Sequence, residues 1–523
     1  MKIWRPALIA ALTLSLGVLA GCVNTAAKRT ADGGLELDLA PSKDEGFVVL
    51  KVVSTQPISL INPKWQSIKV SSKAGSDEII DITPTYNMLM GRYVPTESLY
   101  FAKLKSGVYE ITGMGSVGPG PGLLLALLAS DSATVERNLP HFVVQGGKLA
   151  NLGTIVYAPE IKSEQSERMI LLNGPAGKKA AREALISESN RLDIPLVEEG
   201  GWDLSITAQA EAERLAEARF LVSAQNIQNT SHGLVSGTHL GVLLRRSGPQ
   251  AWTREPIDTL SRLGSVSYSV NGSAIVGGDY GEYFIKSKGG EWRYYRMPKE
   301  SDRVAYIEPR EDGSAIFIMA NLMRTRVLFK KSLDGDEPPT EIAKMDSPPD
   351  HLLSTNKELI FVWNIPGISR EVEITRIDKK TLGVNKQKEA FWVIDWQYLP
   401  DDTVIVSRMN GLSLYKSVWT KGLQTWEHTD EPGPISSFWF DAQNGLSLET
   451  SAGFLMVSNQ LRSTSDGGKT WTHLGKALDT VHYPGRIVYA DANEVLLQSR
   501  FFLFSSTDKG LIWKRILPPQ TAK

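Results

Sequence analysis

Apolar and polar positions along this chain fall into three regimes. From residue 36 to 160, short β-branched and aromatic runs alternate with turn residues: Phe47 to Val53, Ile68 to Val70, Ser98 to Ala102, Val108 to Ile111, Phe142 to Val144 and Gly153 to Tyr157. Runs of this length and spacing predict a small antiparallel β-sandwich. Residues 161–218 are richer in helix formers, notably Gly177 to Ile186 and Thr207 to Ala216. They predict a short helical connector, with Ser205 or Thr207 capping the second helix. From 219 to 523 short strands return, and here the chain repeats itself.

The clearest repeat unit is Thr464-Ser465-Asp466-Gly467-Gly468-Lys469-Thr470-Trp471, followed about 42 residues later by Ser506-Thr507-Asp508-Lys509-Gly510-Leu511-Ile512-Trp513. Both resemble the Asp-box, Ser/Thr-x-Asp-x-Gly-x-Thr-Trp, of sialidases and several unrelated propellers. Its spacing has a physical reason. The Asp accepts hydrogen bonds from the turn's own backbone, Gly supplies a positive φ, and Trp covers the hairpin. By this resemblance Thr464, Asp466, Gly468, Trp471, Ser506, Asp508, Gly510 and Trp513 are structural. Eroded copies lie at Arg246 to Trp252, Lys286 to Trp292, Lys331 to Asp336, Arg376 to Lys380 and Ser417 to Trp426. Before each box an aromatic strand, a turn such as Asn271-Gly272 or Asp312-Gly313, and a β-branched strand recur. Four strands per period of about 42 residues make a propeller blade, and 219–523 has room for about seven.

The N-terminus has a different pattern. Met1 to Arg5 is short and basic, Ala7 to Ala20 is nearly without polarity, and Leu19-Ala20-Gly21 precedes Cys22, the only cysteine. This is the composition of an export signal over 1–21. Leu-Ala-Gly-Cys resembles the bacterial lipoprotein lipobox, which implies diacylation of Cys22. Two acyl chains suffice for stable anchoring. Val23, where an aspartate would imply inner-membrane retention, favours the outer membrane. Residues 22–35 read as a tether. The phrases Leu104 to Tyr109 and Phe142 to Gly153 are similar to prealbumin-like sandwich modules common in bacterial lipoproteins. The Gly- and Pro-rich stretch Gly113 to Gly122, followed by Leu123 to Leu128, reads as a long hairpin connection packing its leucines inward, or as a partner-binding loop.

Composition adds limits. With 42% apolar and 22% charged residues the chain is ordinary folded protein. Without the signal, 55 basic residues face 58 acidic ones. No basic stripe stands out, so nucleic acid is not an expected partner. After Cys22 no thiol is left for a disulfide, so packing alone holds the domains.

Catalytic chemistry finds little to stand on. A sialidase needs an arginine cluster, a tyrosine nucleophile with a glutamate, and an acid. Tyr295-Arg296-Met297-Pro298 resembles the sialidase Tyr/Phe-Arg-Ile-Pro signature but trails a box-like turn in mid-propeller, as an outer strand ending at proline would. Of the seven histidines only His232 and His239 approach metal-ligand spacing, at an odd separation that points them to opposite strand faces. Neither a metal site nor a cofactor is implied, and no catalytic residue is assigned.

Recognition remains. Loops joining one blade's outer strand to the next blade's inner strand would line a central depression. Arg262, Arg303, His351, Asp395, Asp430, Glu431 and His482 are the candidate binding face. The expected protein is therefore mostly β: a sandwich, a helical connector and an Asp-box propeller, tethered to the outer membrane through Cys22. Its expected role is non-catalytic binding of an envelope protein or peptide, in scaffold, assembly or adaptor work. The alternatives are a glycan-binding or sialidase-like propeller and a periplasmic toxin-immunity or inhibitor lipoprotein.

Overall fold

A computed structural model describes residues 27–517, apart from 30–34, 41–42, 56–66, 74–78, 83–96, 116–138, 159–167, 298–301, 322–323, 366–370, 411–412, 420–426, 433–435, 453–456, 481–484, 500–501 and isolated positions. Cys22, His482 and the Leu123 to Leu128 stretch lie outside the described residues, and so does the eroded turn at 420–426. The chain divides into two compact units, with the boundary between Arg214 and Leu215.

The first unit is a two-sheet sandwich. One sheet orders its strands Arg168–Leu172, Leu149–Ala158, Glu45–Ser54, Glu97–Lys105; the other, Gly200–Trp202, Phe142–Val144, Gly107–Gly115, Ser67–Ser72, Ile79–Ile82. Val48, Leu50, Tyr100, Leu152 and Ile155 of the first face Ile68, Val70, Tyr109, Phe142 and Val144 of the second in one core. The expected sandwich was wholly antiparallel, but Glu45–Ser54 runs parallel to Leu149–Ala158. Both strands are buried along nearly their whole length. Burial on both faces is what parallel pairing requires and what an unbroken apolar run supplies.

The second cover of Glu45–Ser54 is helix α1 (Pro175–Ser189), which buries Ala180, Ala181, Ala184 and Leu185. Pro175 opens it, where its missing N–H is harmless. Glu211 then accepts hydrogen bonds from the Ala176 and Gly177 N–H groups, both at 3.0 Å, a carboxylate placed at the positive end of the helix dipole. Glu211 belongs to helix α2 (Ala208–Leu221), whose first turn is capped by Thr207 through the Ala210 N–H. Residues 161–218 are thus more than a helical connector: they also contribute strands Arg168–Leu172 and Gly200–Trp202 to the sandwich sheets. The tether expected at 22–35 likewise contains a strand, Ala27–Arg29, paired with Leu35–Leu37. Neither Gly200–Trp202 nor Ala27–Arg29 has the apolar alternation that would reveal it in sequence.

The second unit is a β-propeller of consecutive four-stranded antiparallel sheets, seven among the described residues, at 226–256, 266–296, 303–345, 351–389, 392–432, 437–480 and 486–517. Each is a meander of sequence neighbours. The second strands are the most buried and the fourth the most exposed, as Ala274–Gly277 and Trp292–Arg296 show. Alternation along a strand sends neighbouring side chains to opposite junctions. On Ala315–Ala320, Phe317 and Met319 pack with Ile275 and Tyr283 of the second sheet. Ile316 and Ile318 pack with Leu359 and Phe361 of the fourth. Truncating a side chain as buried as Phe317 costs about 3–5 kcal/mol.

Among the described residues no strand is shared between the ends of the row. The seventh sheet meets the first through side-chain packing, with Leu496, Leu503 and Leu517 on Leu234, Val242 and Leu244, and through a hydrogen bond from the Gln498 amide to the Ala224 carbonyl at 3.1 Å. A buried carboxylate completes this junction. Glu494 accepts the Gln250 N–H at 2.8 Å and the Ser505 hydroxyl at 2.6 Å, and pairs with Arg246 at 2.6 Å.

Candidate functional site

A four-stranded meander sends its 1–2 and 3–4 turns to one end and its 2–3 turns, with the connections to the next sheet, to the other. The repeated box-like turns fall consistently between third and fourth strands. In the turn 464–471, Asp466 accepts the Thr464 hydroxyl at 2.7 Å, the Thr470 N–H at 3.0 Å and the Thr470 hydroxyl at 2.6 Å. Thr464 Oγ1 in turn accepts the Gly468 N–H at 3.0 Å, where φ is +98°. Trp471 lies edge-on to Trp439 at 5.8 Å and under the Arg462 guanidinium at 5.6 Å. In the turn 506–513, Asp508 accepts the Ser506 hydroxyl at 2.8 Å and the Ile512 N–H at 2.9 Å, and Ser506 Oγ accepts the Gly510 N–H at 2.8 Å. Trp513 packs beside Leu461 and Leu474. These hydrogen bonds hold both carboxyls below the usual carboxylate range, led by the Thr470 hydroxyl for Asp466 and the Ile512 N–H for Asp508. Every bond of these two carboxylates lies within their own turn.

The opposite end carries the candidate binding residues Arg262, Arg303 and His351. Its 2–3 turns contain a repeat that box spacing does not reveal: Gly237-Thr238-His239-Leu240-Gly241 in the first sheet and Gly277-Gly278-Asp279-Tyr280-Gly281 in the second. Leu240 and Tyr280 both adopt the left-handed region, at φ +57° and +58°, a cost of roughly 1–3 kcal/mol each. A Cβ on Gly277 would come within 2.3 Å of the Val304 carbonyl oxygen, so that position excludes any side chain. Arg219, in the last turn of α2, donates to the carbonyls of Leu240 and Ile257 at 2.8 Å and of Thr259 at 3.0 Å, and so buttresses the first of these turns.

Arg262 and Arg303 flank the buried Asp279, each with a guanidinium nitrogen 3.9 Å from its carboxylate, and Asp279 also accepts the Arg262 N–H at 2.7 Å. Next to them Asp302, fully buried, accepts Arg324 at 3.1 Å, Arg326 at 3.0 Å and Asn321 at 2.9 Å. Four arginines thus share two carboxylates over the second and third sheets.

A second cluster spans three other sheets. Arg486, which opens the first strand of the seventh sheet, reaches past the sixth to Asp395 of the fifth at 2.8 Å. His351, which opens the fourth sheet, lies 5.8 Å from the Trp396 ring. Burial raises the Asp395 carboxyl above the usual range, with Arg486 drawing it back. Burial lowers the His351 imidazole, opposed by Asp350 and reinforced by Arg486. At neutral pH the imidazole is therefore neutral.

Some expected loop residues prove to be strand residues. Arg303 and His351 begin strands, and Asp395 sits inside Trp392–Tyr398 beside a register shift. Asp430 and Glu431 lie within the fourth strand Glu427–Pro432, not in the loop after it. Arg486 and Asp279 were not singled out by sequence. Their partners are remote along the chain, 91 residues away for Arg486, and no local pattern marks them. Tyr295 and Arg296 occupy the fourth strand of the second sheet, with Tyr295 stacked on Tyr283 at 5.3 Å. Among the described residues no group of three His, Cys, Asp or Glu is placed to hold a metal ion, and no helix is long and apolar enough to cross a membrane.

The class these features define is the β-propeller joined to a β-sandwich. No family model and no curated protein matches the chain. Several solved structures are similar to it. One is YCF48 bound to D1 peptide, at 15% identity and TM-score 0.37, covering 55% of this chain and 95% of that one. Another is BamB from Moraxella catarrhalis, at 8% and 0.32, covering 55% and 86%. A third is virginiamycin B lyase from Staphylococcus aureus, at 13% and 0.34, covering 53% and 92%.

Proposed function

We propose that this protein is a lipid-anchored component of the bacterial envelope, attached to the outer membrane through an acylated Cys22, whose propeller binds a protein or peptide partner in a scaffold or assembly role. The turns 464–471 and 506–513 are, in this reading, Asp-boxes that serve the fold. The observation that carries the proposal is the convergence of Arg486, Asp395, His351 and Trp396, contributed by three sheets, at the end that also bears Arg262, Asp279 and Arg303. Charged groups interleaved with aromatics, held by a rigid scaffold, suit recognition of a polar chain better than uptake of a small apolar ligand. The cavity beneath Trp396, among Ile360, Val362, Val393 and Val406, is small and apolar.

The test is charge reversal, Arg262→Glu with Arg303→Glu, followed by cross-linking and capture from the envelope. The proposal expects loss of one specific partner from a protein that stays folded, with its melting temperature lowered because the reversed charges face the buried Asp279. Retention of that partner by the variant overturns it.

A further inference from the structure

The two best box-like turns share one hydrogen-bonded frame but end differently. Where the first has Lys469-Thr470, the second has Leu511-Ile512. Thr470 gives its Asp a hydroxyl hydrogen bond of 2.6 Å, which Ile512 cannot give Asp508. Leu511 and Ile512 are instead 54% and 71% exposed. The turn thus forgoes a bond and places two adjacent aliphatic side chains in water, a choice that no contact among the described residues rewards.

Their setting indicates what covers them. The turn is rigid: Gly510 is buried at φ +86°, its carbonyl accepts the Lys476 N–H at 2.8 Å, and Trp513 is packed beneath. Lys476, Lys509 and Lys514 are exposed around it, and among the described residues none of the three has a carboxylate within ion-pair distance. The only carboxylate in the turn, Asp508, is spent on the turn's own donors. Two side chains on one tight turn fall far short of the roughly 800 Å² per partner that a stable protein interface buries. They match an interfacial insertion, in which apolar tips enter the headgroup boundary and lysines meet anionic lipid. We infer that the Leu511-Ile512 turn, at the end of the propeller opposite the proposed partner face, docks on an anionic lipid surface.

The test uses the chain from residue 22 onward with Cys22→Ser in every arm, so that neither an acyl chain nor the apolar run at 7–20 contributes, and co-sedimentation with vesicles of phosphatidylglycerol or of phosphatidylcholine. The parent should bind the anionic vesicles and not the neutral ones. Leu511→Lys with Ile512→Thr makes the turn match its neighbour, so melting should hold or rise. Anionic binding should still fall by roughly tenfold or more, even though a positive charge has been added. The Arg262→Glu, Arg303→Glu protein should bind vesicles like the parent, which separates this inference from the partner-face reading. Three results would overturn it: no binding by the parent, equal or tighter binding by the Leu511→Lys, Ile512→Thr protein as simple adsorption predicts, or loss of a protein partner by that variant with vesicle binding intact.

Discussion

Glu494→Ala is the substitution that most directly probes how the propeller closes. Glu494 is the polar centre of a junction that has no shared strand. It holds the Gln250 N–H, the Ser505 hydroxyl and the Arg246 guanidinium, whose side chain is 16% exposed. Two hydrogen bonds to a buried carboxylate contribute about 1.5 kcal/mol or more each. Breaking a buried ion pair from one side costs about 3–5 kcal/mol. Arg246 keeps partial relief, because Asp491 lies 3.8 Å away and the Tyr489 ring 5.3 Å from its guanidinium. The lower end of that range, about 3 kcal/mol, is therefore expected. A chain of two units need not unfold in one step, so hydrogen exchange by segment is the appropriate assay. Amides in 242–256 and 495–517 should exchange about a hundredfold faster, with the sandwich unchanged. Glu255→Ala, which empties the clamp holding Lys286 and Trp292 between the first and second sheets, should loosen that junction instead. If Glu494→Ala leaves the first and seventh sheets as protected as before, side-chain closure is not what holds them together.

Three further outcomes follow from the same geometry. Asp466→Ala should lower the melting temperature more than Asp508→Ala, because Asp466 accepts an extra hydroxyl; both effects should fade in acid, since carboxyls held below 3.8 stabilise only above that range and lose their contribution as the pH falls through their folded values. His351 works in the opposite sense to a salt-bridged histidine: its folded site resists the proton that the unfolded imidazole accepts near 6.5, so urea stability should decline as the pH falls through 6.5, and His351→Phe should flatten that slope. Metabolic labelling with a clickable fatty acid should mark the wild-type protein and not Cys22→Ser; equal labelling would remove the anchor from the account.

The sequence made the propeller legible because its signals are local and repeated. The box-like turns fall between third and fourth strands wherever they are described, and the 1–2 turns carry their Asp or Asn caps where the motif placed them, as at Asn271 and Asp312. A one-turn constellation needs only neighbours in sequence, so it survives in the pattern. What was hidden depends on the fold bringing distant residues together. The parallel pairing of Glu45–Ser54 with Leu149–Ala158 joins strands a hundred residues apart. Strand Gly200–Trp202, two glycines and a tryptophan, has no alternation to read. The clustering of the candidate residues was half visible: Arg262, Arg303, His351 and Asp395 sit at or near the connections, but the residues that tie them, Asp279 and Arg486, come from a 2–3 turn and from another sheet.

The central claim is that a protein partner meets the end of the propeller bearing the inter-sheet connections. Site-specific photo-cross-linking in living cells tests it most directly, with a benzophenone side chain introduced in place of Arg262 or His351 at that end and of Lys288 or Lys380 in the 3–4 turns of the other. The account predicts one discrete protein adduct from positions 262 and 351 and none from 288 and 380. A discrete adduct from 288 or 380, with none from 262 or 351, would contradict it.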